Sequence, residues 1–225
     1  MKSSEKIGRF NTPAKKTSNG VKTLAIITAA GKGKRMGSVI KKPYLILDGK
    51  PLLAHAIMPF EQSKAINGVI IVTAKGDEGF CLKNIVKRFG FKKVLKVIRG
   101  GKQRQDSVMS GIMAAGNGWD MVVVHDGVRP FVAKEAIEKV VKSAAQYGAA
   151  TLAVPVKDTI KQVSCGFVKK TLPRDELWAI QTPQAFGFHT LKKAHVLAKK
   201  QGFIGTDDSI LVERHGCKVA VVTGS

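Results

Sequence analysis

Apolar residues in this chain gather in short continuous runs that alternate with stretches of helical spacing. Residues 24–28, 68–73, 93–98, 121–124 and 149–154 are short runs rich in Val, Ile, Leu and Ala, the pattern of strands buried on both faces. Between them, residues 52–63, 79–89, 107–115 and 133–147 have the spacing of helices with one buried face. Strands alternating with helices at this interval predict one α/β domain with a mostly parallel sheet covered on both sides. A short strand follows Pro43-Tyr44-Leu45 and turns near Asp48-Gly49. Helices over 190–201 and 208–215 lead to a closing strand over 218–222. The rhythm breaks between 157 and 174, where two short segments flank Cys165-Gly166 and read as a two-stranded arm. A lone hairpin is marginal by itself. The arm therefore needs a surface to lie on, either the parent domain or a second copy of the chain.

Composition narrows this picture without changing it. With 225 residues, 44% of them hydrophobic, the chain can bury one sizeable core. No apolar run approaches the roughly 20 residues needed to span a bilayer. Cys81, Cys165 and Cys217 form no Cys-x-x-Cys pair. That spacing speaks for a reducing compartment, read as the cytoplasm, and against a zinc knuckle or a disulfide framework. Residues 1–22 are polar, basic and without periodicity, as in a flexible arm. A plastid-type transit peptide is the alternative for a segment so poor in acids, but Glu5 and the missing amphipathic pattern do not fit one.

Charge changes the picture more. Thirty-eight Lys and Arg against 16 Asp and Glu give a formal net charge of +22, a field that attracts polyanions. The lysines run along the whole chain, with only pairs such as Lys41-Lys42, Lys92-Lys93 and Lys199-Lys200. No specific nucleic-acid groove follows from that distribution. A small substrate carrying several phosphates suits the charge as well.

Candidate chemistry begins where the first strand ends. Residues 24–37 read L-A-I-I-T-A-A-G-K-G-K-R-M-G: a buried strand breaking into small residues and then cations. Backbone N–H groups and fixed charge together make such a turn a phosphate site. It is neither a Walker A loop nor a dinucleotide fingerprint, because Gly31, Gly33 and Gly37 are out of register for both. In open parallel sheets, ligands sit beyond the carboxyl ends of the strands. This geometry puts three loops on one rim: the one after the first strand, Gly100-Gly101-Lys102-Gln103-Arg104, and His125-Asp126-Gly127-Val128-Arg129. Arg35, Lys42, Arg104, Asp126 and Arg129 would meet there, with Ser107 and Thr159 nearby. The set has cations in excess, one acid and no nucleophile, which suits phosphoryl-type transfer by positioning and charge stabilisation. His125 beside Asp126 does not make a hydrolase triad, since neighbours on a strand face opposite ways; His125 is read as a packed strand histidine. Thr182-Pro183-Gln184 is read as shaping the core, and Asp208 as a helix N-cap.

Six motifs in order carry a resemblance: A-A-G-K-G-K-R-M-G, K-K-P-Y-L, G-G-K-Q-R-Q-D-S-V, V-H-D-G-V-R-P-F, V-P-V-K-D-T-I-K and L-W-A-I-Q-T-P-Q-A-F. From about residue 24 onward the chain resembles the 2-C-methyl-D-erythritol 4-phosphate cytidylyltransferases of the non-mevalonate isoprenoid pathway. The resemblance implies a three-layer, Rossmann-like nucleotidyltransferase over 23–225, with a protruding β-arm at about 157–174 that reaches across a homodimer. It implies a reaction of CTP with methylerythritol phosphate, giving the CDP-linked alcohol and pyrophosphate, with Mg²⁺ as cofactor. Ala29, Ala30, Gly31 and Lys32 would line the triphosphate, and Gly100, Gly101 and Ser107 would meet the cytosine. Arg35 and Lys42 would oppose the charge that builds at the α-phosphate. Asp126 and Arg129 would hold the acceptor and border the Mg²⁺, which the phosphates mainly hold, while Thr159 and Arg174 would bind the acceptor's phosphate, Arg174 also acting in catalysis. Relatives carry an N-x-K segment beyond Thr223-Gly224-Ser225, whose lysine helps position the acceptor. The expectation for this sequence is CTP binding with slow turnover or poor folding. The alternatives are a ribitol 5-phosphate cytidylyltransferase on the same fold, a weakly active relative, and a nonspecific polyanion-binding protein.

Overall fold

The computed structural model describes residues 20–31 and 41–224. Its centre is a seven-stranded sheet. Strand β1 (Thr23–Ala29) is followed by a small two-stranded ribbon, β2 (Ile46–Leu47) and β3 (Lys50–Pro51), and then by helix α1 (Leu52–Gln62) and β4 (Gly68–Thr73). Helix α2 (Glu78–Cys81) runs on through a π-helical segment, Leu82–Lys87, and leads to β5 (Val94–Arg99). Next come α3 (Arg104–Ala115), β6 (Met121–Asp126), α4 (Lys134–Tyr147) and β7 (Ala149–Pro155). A separate hairpin, β8 (Lys161–Ser164) and β9 (Phe167–Thr171), precedes β10 (Trp178–Gly187), α5 (Phe188–Lys200), α6 (Ser209–Glu213) and β11 (Ala220–Thr223).

The strand order is β11-β7-β10-β6-β1-β4-β5. β1 pairs in parallel with β4 and β6, β4 with β5, and β7 with β11. Only β10 runs antiparallel, between β6 and β7. β1, β4 and β6 are apolar on both faces because each face is covered. Ala25, Ile27, Val69, Ile71 and Val123 pack with α1 and α4, while Leu24, Ile26, Ile70 and Val122 pack with α3 and α5. The predicted mostly parallel, three-layer architecture is therefore the one observed.

Strand β10 is the element that the sequence pattern does not predict. Pro183 interrupts its apolar run, and proline normally argues against a central strand because it cannot donate to the ladder. The sheet accommodates it where the register with β7 shifts, between Ile180 and Gln184. Two boundaries also move. Helix α3 starts at Arg104 rather than at 107, closed by a capping box between Gln103 and Asp106. Val21 packs on the core, and the Lys22 carbonyl accepts from the Asp120 and Met121 N–H groups, so the end of the 1–22 segment is tied to the sheet. The rest of that segment, residues 1–19, lies outside the described residues.

The predicted hairpin forms, with β8 and β9 antiparallel and every residue of both strands exposed. Cys165, at φ +50°, and Gly166, at φ +82°, make its turn, the two positive-φ positions that a tight hairpin turn requires. The cysteines are free. No described helix is long and apolar enough to cross a membrane.

Candidate active site

The carboxyl ends of β1, β5 and β6 build the site. After β5, Gly100 is held by its N–H to the Thr73 carbonyl at 2.7 Å. A Cβ at Gly100 would stand 2.6 Å from both the Ala30 Cβ and the Ser107 Oγ, so only glycine lets the β1 loop, the β5 loop and α3 converge. The Ser107 Oγ accepts from the Gly101 N–H at 3.2 Å and donates to the Gln103 carbonyl at 3.0 Å. Gly101 lies so close to Asp106 that a side chain there would collide with it. Ala30, Gly100, Gly101 and Ser107 thus form one small-residue cradle beside the N-terminus of α3, joining Ala30, expected at the triphosphate, to the three residues expected at the cytosine.

On the β6 side, the alternation along the strand separates two neighbours. His125 is fully buried and Asp126 faces outward. Since a carbonyl can only accept, His125 Nε2–H donates to the Arg129 carbonyl at 3.0 Å. Its Nδ1 then accepts from the Thr182 hydroxyl at 3.0 Å, and the Asp126 N–H donates to that hydroxyl at 3.3 Å. Burial pushes the His125 pKa down to about 4, against the raising influence of the Arg129 carbonyl and Asp126. A neutral imidazole therefore braces the turn that carries Asp126 and Arg129. Gly127 lets that turn settle, because a Cβ there would come within 2.9 Å of Leu53 Cδ1.

The Asp126 carboxylate lies between two guanidinium groups. Arg104 Nε–H donates to Oδ1 at 3.0 Å, and Arg129 Nε–H donates to Oδ2 at 3.2 Å. Arg104 also reaches Asp208 Oδ2 through Nη1 at 2.6 Å, and His195 Nε2–H donates to Asp208 Oδ1 at 3.1 Å. Burial alone would raise the Asp208 pKa, but His195 and Arg104 outweigh it and hold the carboxyl below its ordinary value. Arg104, Asp126, Arg129, Gln184, Asp207 and Glu213 line a cleft of about 430 Å³ at this rim. Among the described residues no group of three or more His, Cys, Asp or Glu could hold a metal ion.

The predicted site residues lie in several separate places. Ala30, Gly100, Gly101 and Ser107 form the cradle, Ala29 lies against the Gly127 turn, Gly31 stands in open space beyond Ala30, and Asp126 and Arg129 line the neighbouring cleft. Lys42 opens the short turn Lys42–Tyr44, packed against α1, and is part-exposed. Thr159 and Arg174 do not join the cleft: both are exposed at the base of the arm, where Arg174 Nη1 donates to the Lys157 carbonyl at 3.1 Å. Lys32 and Arg35 lie outside the described residues. His125 is the packed histidine expected, and Gln184 is a core residue as expected, fully buried with its amide bonded to Asp207 and Thr151.

Asp208 departs from its reading. It occupies the N-cap position of α6, yet its carboxylate makes no cap. Asp207 does the capping, accepting from the Ile210 N–H at 3.1 Å and from the Ser209 hydroxyl at 2.6 Å. Asp208 turns inward because Arg104 and His195 supply it with a charged and a hydrogen-bonded partner. Nothing in the spacing of His195, Asp208 and Arg104 announces this cluster; only the packing of α5 against both α3 and α6 brings it together.

Comparison with known proteins bears on the chain as a whole. The family model described as IspD, 2-C-methyl-D-erythritol 4-phosphate cytidylyltransferase, matches residues 23–225. The 2-C-methyl-D-erythritol 4-phosphate cytidylyltransferase of Geotalea uraniireducens is 45% identical over 206 residues, 91% of this chain and 88% of that one. Its counterpart in Pelotomaculum thermopropionicum is 45% identical over 205 residues, 91% and 86% respectively. Among solved structures, 4-diphosphocytidyl-2C-methyl-D-erythritol synthase from Anaerococcus prevotii superposes with a TM-score of 0.82 at 31% identity, covering 92% of this chain and 88% of that one.

Proposed function

This chain belongs to the 2-C-methyl-D-erythritol 4-phosphate cytidylyltransferase family, and from that premise we infer that its rim transfers a cytidylyl group from CTP to 2-C-methyl-D-erythritol 4-phosphate. The observation that carries the reading is the match over 23–225, in a chain whose glycine cradle adjoins an acid flanked by two arginines.

The chemistry follows from charge. A phosphate oxygen of the acceptor attacks the α-phosphorus of CTP, forming a new P–O bond while the bond to pyrophosphate breaks. Negative charge grows on the α-phosphate oxygens and on the leaving group, and fixed cations oppose it most where water is excluded. In this reading Arg35 and Lys42 supply those cations. Ala29, Ala30, Gly31 and Lys32 receive the triphosphate. Gly100, Gly101 and Ser107 hold the base, where a backbone edge distinguishes the amine of cytosine from the carbonyl of uracil.

Asp126 and Arg129 orient the acceptor. Thr159 and Arg174 belong to an exposed arm, and the reading has them serve the cleft of a second copy in a homodimer. The exposed apolar residues Val163, Phe167 and Val168 on that arm support such an interface. Mg²⁺ characteristically takes one or two carboxylates together with substrate phosphates and water. Asp126, one of three carboxylate residues lining the cleft with Asp207 and Glu213, fits that donor set, and the ion when bound would neutralise charge on the phosphates. A cytoplasmic location belongs to the same reading, supported by the free cysteines.

Ribitol 5-phosphate as acceptor and nonspecific polyanion binding are not favoured, since the matching relatives are named for methylerythritol phosphate. The test is pyrophosphate release from CTP with each acceptor in turn. Release with methylerythritol phosphate and not with ribitol phosphate is expected; the reverse preference overturns the reading.

A further inference from the structure

We propose that Arg104 is a positioning residue for Asp126, and that Asp208, clamped by His195, fixes Arg104 in that role. The inference rests on the proposed function for what Asp126 does, but its geometry stands apart from it. Five side chains form one line of alternating partners, from α5 to the cleft: His195, Asp208, Arg104, Asp126 and Arg129.

The inner end of this line cannot touch a substrate. His195 and Asp208 are each 1% exposed. A buried ion pair is a poor source of stability, because removing two charges from water costs about what their attraction returns. Three further contacts hold it rigid. The Asp208 N–H donates to Gln184 Oε1 at 3.1 Å, from the middle of the sheet. The neighbouring Gln105 on α3 donates to the Phe203 carbonyl at 3.1 Å and accepts from the Gly205 N–H at 2.9 Å. These bonds tie the chain leading into α6 to the first turn of α3, so Asp208 and Arg104 move as one body.

Arg104 is then anchored at one end and used at the other. Its Nη1 is spent on Asp208 and its Nε on Asp126, while Nη2 is shut off from solvent. The side chain as a whole is part-exposed to the cleft, and its fork fixes direction as well as distance. A carboxylate has about four lone-pair sites. The Nε of each flanking arginine takes one on its own oxygen, and the Thr28 hydroxyl reaches Oδ1 at 3.5 Å, so the remaining lone pairs of Asp126 are aimed rather than free to rotate.

Arg104 thereby sets the orientation in which Asp126 meets the acceptor, and α5 and α6 act on the site without touching a ligand.

The test uses the full chain. Arginine Nε–Hε resonances in ¹H–¹⁵N spectra read the line without any turnover; kcat, the acceptor KM and the CTP dissociation constant read its use. In Asp208→Asn the Arg129 resonance should move together with that of Arg104, although Arg129 does not touch Asp208. Turnover should fall on the order of tenfold to a hundredfold, with CTP affinity kept within about twofold. Arg104→Lys should lower kcat similarly, and the double variant should fall no further than the deeper single one.

Should Asp208→Asn not fold, His195→Leu reads the same resonances with the Arg104–Asp208 pair intact, and His195→Gln, which keeps a donor, should restore them. An unmoved Arg129 resonance overturns the proposal. So do losses that multiply in the double variant, or an Asp208→Asn protein with a lowered Tm and wild-type kcat. If the wild-type chain fails to use methylerythritol phosphate, the functional reading falls, and the resonances still decide this one.

Discussion

Gly100 and Gly111 carry the same steric constraint to different ends. A Cβ at Gly100 would strike Ala30 and Ser107 in the cradle, and one at Gly111 would come within 2.7 Å of Ile26 Cγ2 in the core. Overpacking costs about 1–3 kcal/mol in either place, so urea unfolding of Gly100→Ala and Gly111→Ala should show comparable losses. Only Gly100→Ala should also weaken CTP binding, read by calorimetry. Equal CTP affinities in the two variants would contradict the cradle. His125 supplies a pH signature. With its folded pKa near 4 and the unfolded value near 6.5, the unfolded chain binds the extra proton between those values. Stability is therefore full above about pH 6.5 and falls as pH drops toward 4, by up to about 3 kcal/mol. Asp208, held below its ordinary 3.8, adds its own loss only at lower pH. Urea midpoints measured from pH 7.5 to 4.5 should fall in the wild type and flatten in His125→Asn; an equally steep decline in both would contradict a buried neutral imidazole. Asp126, Arg129 and the cradle glycines were legible in the sequence because loops at strand ends carry them. Asp208 and His195 were not, since their role exists only through contacts across 13 and 104 residues of chain.

At the scale of elements, alternating strands and helices were legible because a parallel sheet buried on both faces imposes near-continuous apolar runs. β10 was hidden by Pro183, which the register shift absorbs. The first turn of α3 was hidden too, since Arg104, Gln105 and Asp106 carry no apolar signal and the capping box itself starts the helix. The arm was legible as a hairpin without a home, and its exposure bears on assembly. Phe167 is 79% exposed, and a surface charge there touches no core. Phe167→Glu should leave the Tm nearly unchanged, convert a dimer to a monomer by sedimentation, and raise the acceptor KM. A monomeric wild type, or a variant that remains dimeric, would contradict the proposed use of the arm.

At the scale of the whole molecule, a charge of +22 surrounds a cleft lined by two arginines and three acids. Such a field speeds the encounter with a tetra-anionic nucleotide, and salt screens it. Raising ionic strength from 20 to 300 mM (trial values spanning about 20 to 6 Å of Debye length) should lower kcat/KM for CTP several-fold while kcat changes little. A salt-independent kcat/KM would mean that the diffuse lysines do not steer substrate. The central claim is that this rim joins cytidylyl to an acceptor phosphate rather than hydrolysing CTP. ³¹P NMR of the chain with CTP, Mg²⁺ and methylerythritol phosphate tests it most directly. The paired signals of a new diphosphate diester should grow in step with an equal amount of pyrophosphate. Pyrophosphate accumulating with CMP and no diester, or CTP and acceptor persisting unchanged, would contradict it.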